Sequence, residues 1–253
     1  MDLFYSMLIY LYYFGRPVVL LAGLILSIII IRTKDRMTKL LGIWLIVSDI
    51  GGLLGSVYVL MIRFISHTEI AGRLSTLNTM VTAFLGIVGA VIFALYAIKK
   101  YGFKLYWAII MIAGSSAIGV LLRLVLSKAL TIKDFTSAVQ YNYILAVITA
   151  IPSLVVAVIW FIVFFKNKYK EKELKLLWLM PLYTLASDAL NFIVNLYSFI
   201  YAAKDASLAQ EQQMIVLLSE SVVSMVISLL FNIYILVKGR KASEDNKLII
   251  VDD

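Results

Sequence analysis

Seven long apolar runs organise the chain, at about residues 7–31, 40–62, 75–98, 105–127, 141–165, 176–200 and 214–237, with short polar segments between them. Each run exceeds the roughly 20 apolar residues that a helix needs to cross a bilayer. The pattern predicts seven transmembrane helices, an all-α polytopic membrane protein. The first run opens with Tyr5, Tyr10, Tyr12, Tyr13 and Phe14, an aromatic belt at one membrane interface. No basic stretch precedes it, so it reads as a retained span and not a cleaved signal. The tail after Lys238 is polar and mixed in charge, a short solvated end.

A weak self-similarity links the two ends of the chain. Ser48-Asp49 is followed by Tyr58, and Ser187-Asp188 by Tyr197, at the same spacing. Phe93-Ala94-Leu95-Tyr96 closes the third run just before Lys99; Phe231-Asn232-Ile233-Tyr234 closes the seventh just before Lys238. Pro17 and Pro152 lie at similar distances before the basic residues that end runs one and five. Three helices are an odd number, so a linker helix is needed to bring two such triplets into one orientation. The expected organisation is a first repeat over 1–98, linker helix and loops over 99–137, a second repeat over 138–238 and a tail over 239–253, a parallel 3+1+3 arrangement.

This layout resembles the SWEET and PQ-loop transporters: seven helices, an outside N-terminus, and a proline in the first helix of each triplet. The resemblance is one of architecture. The family's Pro-Gln pair is absent, since Val18 follows Pro17 and Ser153 follows Pro152. Asn78 and Asn232 lie at opposite ends of their runs and do not carry over as a symmetric substrate pair. The resemblance implies transport by alternating access.

Composition and charge agree with a membrane protein. The 253-residue chain is 62% hydrophobic and 15% charged, with a mean hydropathy of +0.97, far from the roughly 25% charge of soluble domains. Zero cysteines exclude disulfides and thiolate chemistry, and His67, the single histidine, excludes a histidine-cluster zinc enzyme. No metal or cofactor is expected. The net charge of +8 would suit a nucleic acid, but its distribution excludes that partner. Sixteen of the 23 basic residues fall in alternate loops, after runs one, three and five, and in the tail. The positive-inside rule places those loops in the cytoplasm, the N-terminus outside and the C-terminus inside, in a plasma or inner membrane. The partners are then the lipid bilayer and a small-molecule or ion substrate.

Candidate chemistry sits at membrane depth. Asp49 and Asp188 fall near the midpoints of runs two and six, where a carboxylate costs about 2.5–3.5 kcal/mol on insertion scales and must face protein or water. Around Asp188, Pro181, Thr184, Asn191, Asn195 and Ser198 recur at three- and four-residue steps and share one helix face. That stripe must line a cavity or a helix contact, and Pro181 would free a carbonyl as a hinge or cation ligand. Around Asp49, Gly42, Ser56 and Arg63 follow at heptad spacing, and Gly51 and Gly55 suggest close helix packing. Asp49, Asp188, Asn191, Asn195, Thr184 and Ser56 are therefore the candidate substrate- or proton-binding residues. Nearer the outer surface, Glu220 is expected to pair with Arg16 or Arg123 as a clamp or gate.

The leading expectation is a small transporter moving a polar or cationic solute by alternating access, with proton coupling as one option. The alternative is a seven-helix receptor or sensor, since N-out and C-in is also the receptor topology. Against it, Ile98-Lys99-Lys100-Tyr101 replaces the acidic-Arg-Tyr triplet of rhodopsin-like receptors, and run seven has no Asn-Pro-x-x-Tyr. An enzyme is not expected, as neither a nucleophile–base pair nor a metal cluster is present.

Overall fold

Residues 2–33, 35–64, 68–129, 135–171, 173–202 and 204–251 are described by the computed structural model. The structure is all-helical, 92% helix with no strand among the described residues. Seven helices follow one another: α1, whose apolar span is Tyr5–Ile31, α2 (Arg36–Phe64), α3 (Thr68–Tyr101), α4 (Leu105–Ala129), α5 (Phe135–Lys166), α6 (Leu179–Ala202) and α7 (Ala206–Val251). Five of them (α1, α2, α3, α5 and α7) contain spans long and apolar enough to cross a membrane. Large side chains such as Val18, Met80, Phe84, Leu121 and Ile193 are exposed along the helices. Apolar exposure on this scale suits contact with lipid, as expected of an integral membrane protein.

Local chemistry sets the helix ends. Asp35 caps α2, its Oδ2 accepting from the Thr38 amide at 2.7 Å and the Thr38 hydroxyl at 2.6 Å. Asp205 caps α7 by accepting from the Leu208 amide at 2.9 Å. Gly102, at φ +73°, ends α3. Its amide reaches the Ile98 carbonyl and the Phe103 amide reaches that of Ala97, the paired closure of a left-handed helix cap. In α1 a π-helical turn, Leu11–Gly15, lies directly before Pro17, where the proline ring clashes with a regular helix's preceding carbonyl.

Two boundaries and the apolarity of one helix differ from expectation. α7 continues through the polar tail to Val251, so the tail is helical. α6 starts at Leu179, which puts Pro181 in its first turn. A missing amide has no intrahelical partner to lose there, and the Met180 amide already takes the Leu177 carbonyl. Pro181 is thus a helix start and frees no carbonyl. Finally, α6 is long enough to span but falls outside the apolar set, because its polar stripe interrupts the hydrophobic run.

By internal contacts the chain divides into two compact units. Unit 1 comprises 1–103, 171–174 and 221–253; unit 2 comprises 104–170 and 175–220. Helices α1 to α3 thus group with the C-terminal part of α7, and α4 to α6 with its N-terminal part.

Unit 1 has a regular buried seam. Gly23, Ser27 and Ile30 of α1, Thr38, Leu41, Leu45, Asp49 and Ser56 of α2, and Met225, Asn232, Ile235 and Gly239 of α7 are all buried. Their three-, four- and seven-residue spacings put each set on one helix face. Close approach depends on glycines other than those expected. A Cβ on Gly42 would lie 2.9 Å from the Ile30 side chain, and one on Gly239 would lie 2.5 Å from Thr38. Gly51 meets only ordinary contact with Leu85, and Gly55 has nothing within 4 Å. Those two are not the packing pair.

In unit 2 the buried core gathers Val139 and Tyr143 of α5, Ala202 of α6 and Ala209 of α7, flanked by Phe199 and Tyr201. Towards the other end of α5, Phe161 and Phe165 pack with Trp178, and the Lys168 ammonium lies 3.9 Å from the Phe165 ring centroid.

Candidate functional site

Asp49 is built into a sealed polar cluster contributed by three helices. It is 1% exposed, and its neighbours Ser27 and Asn232 are both 0% exposed. The Ser27 hydroxyl lies 3.2 Å from Asp49 Oδ2, 3.1 Å from Asn232 Oδ1 and 2.9 Å from the Gly23 carbonyl. Gly23 makes room for this arrangement. A Cβ there would stand 2.9 Å from Asn232 Nδ2 and 3.1–3.2 Å from both Asp49 oxygens. Asn232 Nδ2 is buried beside the carboxyl without a hydrogen bond of regular geometry. On the remaining side α3 is apolar towards α2, with Leu85 near Gly51 and Phe93 on Trp44.

Asp188 lies in unit 2 and in a different setting. It is half-buried and close enough to Glu220 for the two like charges to interact. Glu220 Oε1 accepts hydrogen bonds from the Ser187 hydroxyl and, at 3.0 Å, from Asn191 Nδ2. One turn on, Asn195 Oδ1 accepts from Gln213 Nε2 at 2.8 Å, and Asn195 Nδ2 donates to the Asn191 carbonyl at 2.7 Å. The α6 stripe therefore faces the first half of α7, a helix contact made of amides and acids.

The remaining candidates fall away from these clusters. Ser56 donates to the Gly52 carbonyl at 2.9 Å, and Thr184, exposed, to that of Met180 at 3.2 Å. Both satisfy themselves on their own helices. Of the expected clamp residues, Glu220 is bonded by Ser187 and Asn191, and the Arg16 guanidinium lies 5.4 Å from the Tyr12 ring centroid. Neutral donors on the adjacent turns of α6 reach Glu220 without the cost of desolvating a second charge. The side chains of Arg63 and Arg123, and all of His67, lie outside the described residues.

Three functional-looking residues escaped the sequence reading. Ser27 sits in an apolar run with no charged neighbour to draw notice, although Gly23, Ser27 and Ile30 share a face. Asn232 looked like a residue at a helix end because its apolar run stops at 237. The helix itself continues to Val251, which leaves Asn232 deep within it. Glu171 lies among five lysines of one loop and reads as solvated. Instead it is 4% exposed. Its Oε1 accepts from Tyr96 at 2.7 Å and Tyr101 at 2.8 Å, and its Oε2 lies 3.7 Å from Lys100 Nζ. Nearby, the Tyr234 hydroxyl donates to the Glu173 carbonyl at 3.4 Å. Tyr96 and Tyr234 thus hold the same short segment.

Among the described residues, no group of three or more His, Cys, Asp or Glu stands together as a metal site. No protein-family model, curated protein or solved structure matches this chain.

Proposed function

We propose that this protein is a small membrane transporter that moves a polar or cationic solute by alternating access, with Asp49 as its central ionisable site. The observation that carries the reading is a single carboxyl sealed at mid-span by Ser27 and Asn232 from two other helices. Packing alone rarely justifies a carboxyl there, because hydrophobic residues of similar volume stabilise a buried site as well or better. An intramembrane acid held by partners from several helices is a functional site by default. Asp188, Asn191, Asn195 and Glu220 form a second, more open polar group on the same helical scaffold.

In this reading the chain has the 3+1+3 plan of the SWEET and PQ-loop transporters. The shared docking of Tyr96 and Tyr234 on residues 171–174 supports equivalent roles for helices three and seven. The basic loops face the cytoplasm, so Lys100, Glu171 and the segment they anchor close the inner end of unit 1. Since the chain contains no cysteine, a cysteine at exposed Tyr169 should resist a membrane-impermeant thiol reagent in intact cells.

The test of function is uptake into proteoliposomes of a radiolabelled panel of sugars, amino acids and small amines. At least one should accumulate, and Asp49→Asn should lower its initial rate at least tenfold. A panel in which nothing enters, or in which Asp49→Asn leaves uptake unchanged, overturns the reading.

A further inference from the structure

The oxygen–oxygen contacts around Asp49 are short of protons if its carboxyl is ionised, although Asn232 Nδ2 also lies beside it. The Ser27 hydroxyl has one proton, yet three acceptors lie within 2.9–3.2 Å of its oxygen: Gly23 O, Asp49 Oδ2 and Asn232 Oδ1. It can serve one of them well. Among the described residues no charged group offsets the carboxylate. From α1 it meets Gly23 and Ser27, from α7 Asn232, and α3 presents Leu85, Gly89 and Phe93 to this stretch of α2. An ionised carboxylate left among neutral groups at 1% exposure carries a large desolvation cost.

One added positive charge removes the uncompensated charge and eases the shortage of protons, and the space available identifies it. A Cβ on Gly23 would already meet three atoms of the cluster at 2.9–3.2 Å. The Ser27 oxygen is likewise in direct contact with its three acceptors. A metal ion or an ammonium group would need these oxygens to move apart; a proton would not. We propose that Asp49 is the proton-binding residue of this protein, its carboxyl kept protonated in the closed unit by burial among neutral groups. Asp49 Oδ2–H then donates to Ser27 Oγ, and the Ser27 hydroxyl donates onward to Asn232 Oδ1 or the Gly23 carbonyl. Two protons then serve the three short contacts, against one when the carboxyl is ionised. When the seam between α1, α2 and α7 opens, water takes the proton as hydronium and leaves the carboxylate hydrated. Ser27 and Asn232 are positioning residues. They hold the carboxyl in place without exchanging the proton with solvent themselves.

The inference deepens the transporter reading by naming the coupling ion, and its test needs no transported solute. Infrared spectra of the purified protein at neutral pH should contain a protonated-carboxyl carbonyl band that shifts in D2O. The band should be lost in Asp49→Asn and retained in Asp188→Asn. In Ser27→Ala it should move to higher frequency as the hydrogen bond to Oγ disappears. This third variant decides the matter even if Asp49→Asn fails to fold. Replacing choline chloride with sodium chloride at constant ionic strength should leave the band unchanged. A band indifferent to both Asp49→Asn and Ser27→Ala overturns the proposal. So does a band that sodium removes, which would make this a metal-cation site. An absent band with solute uptake intact would refute the proton and spare the transporter; a present band without any uptake would do the reverse.

Discussion

Asp49 and Asp188 follow a serine in the same dipeptide, precede a tyrosine at the same spacing and fall at the same depth in their apolar runs. Their surroundings differ in almost every respect. Asp49 is enclosed by single polar groups from two other helices, with glycine at the point of closest approach and, among the described residues, no second acid near it. Asp188 is half-buried on a polar helix face beside Glu220, within a ladder of amides joining α6 to the first half of α7. Depth is a property of position along one helix. Enclosure depends on what other helices present at that level, and here it separates a closed site from an open one.

The contrast can be broken first at the glycines. Gly23→Ala pushes a methyl against Asn232 and Asp49 and should destabilise the protein by about 1–3 kcal/mol through overpacking. Gly55→Ala meets open space and should stabilise α2 by up to about 1 kcal/mol through helix propensity. Thermal unfolding in detergent compares the two. Equal shifts would mean that the Asp49 cluster is loose.

The Glu171 dock should give a similar but slightly smaller effect. Tyr96→Phe removes one of two tyrosine donors from a buried carboxylate, and Glu171→Gln weakens both bonds and the Lys100 contact. Each should cost about 1–3 kcal/mol. The double variant should cost less than the sum, because the residues share one interaction. Strict additivity would show that the loop does not depend on this bond.

The smallest effect is expected at Glu220. Glu220→Gln retains an oxygen to accept from Ser187 and Asn191 and relieves the like charge of Asp188, so stability should change by less than about 1 kcal/mol. A loss of several kcal/mol, the cost of orphaning one member of a buried ion pair, would instead favour an arginine partner such as the one the sequence suggested.

The helices, their order and the mid-span acids were legible because hydrophobic run length and isolated charges are local signals. The α6 stripe was legible too, as its amides repeat with the helical period. What lay beyond reach depends on contacts distant in sequence. Ser27 and Asn232 are 205 residues apart, and no spacing rule joins them. Helix continuation past an apolar run hid the depth of Asn232, and five neighbouring lysines hid the burial of Glu171. The sequence favoured Asp188 as the better-supported acid because its polar partners lie on its own helix. The partners of Asp49 come from other helices, and the structure reverses the ranking.

The most direct test of that reversal is uptake driven by an imposed proton gradient in proteoliposomes, with wild type, Asp49→Asn and Asp188→Asn side by side. The solute is whichever member of the panel the wild type accumulates. Asp49→Asn should lose gradient-driven accumulation, while Asp188→Asn should keep it at a reduced rate. Accumulation that survives Asp49→Asn but disappears in Asp188→Asn would contradict the account and move the functional site to α6.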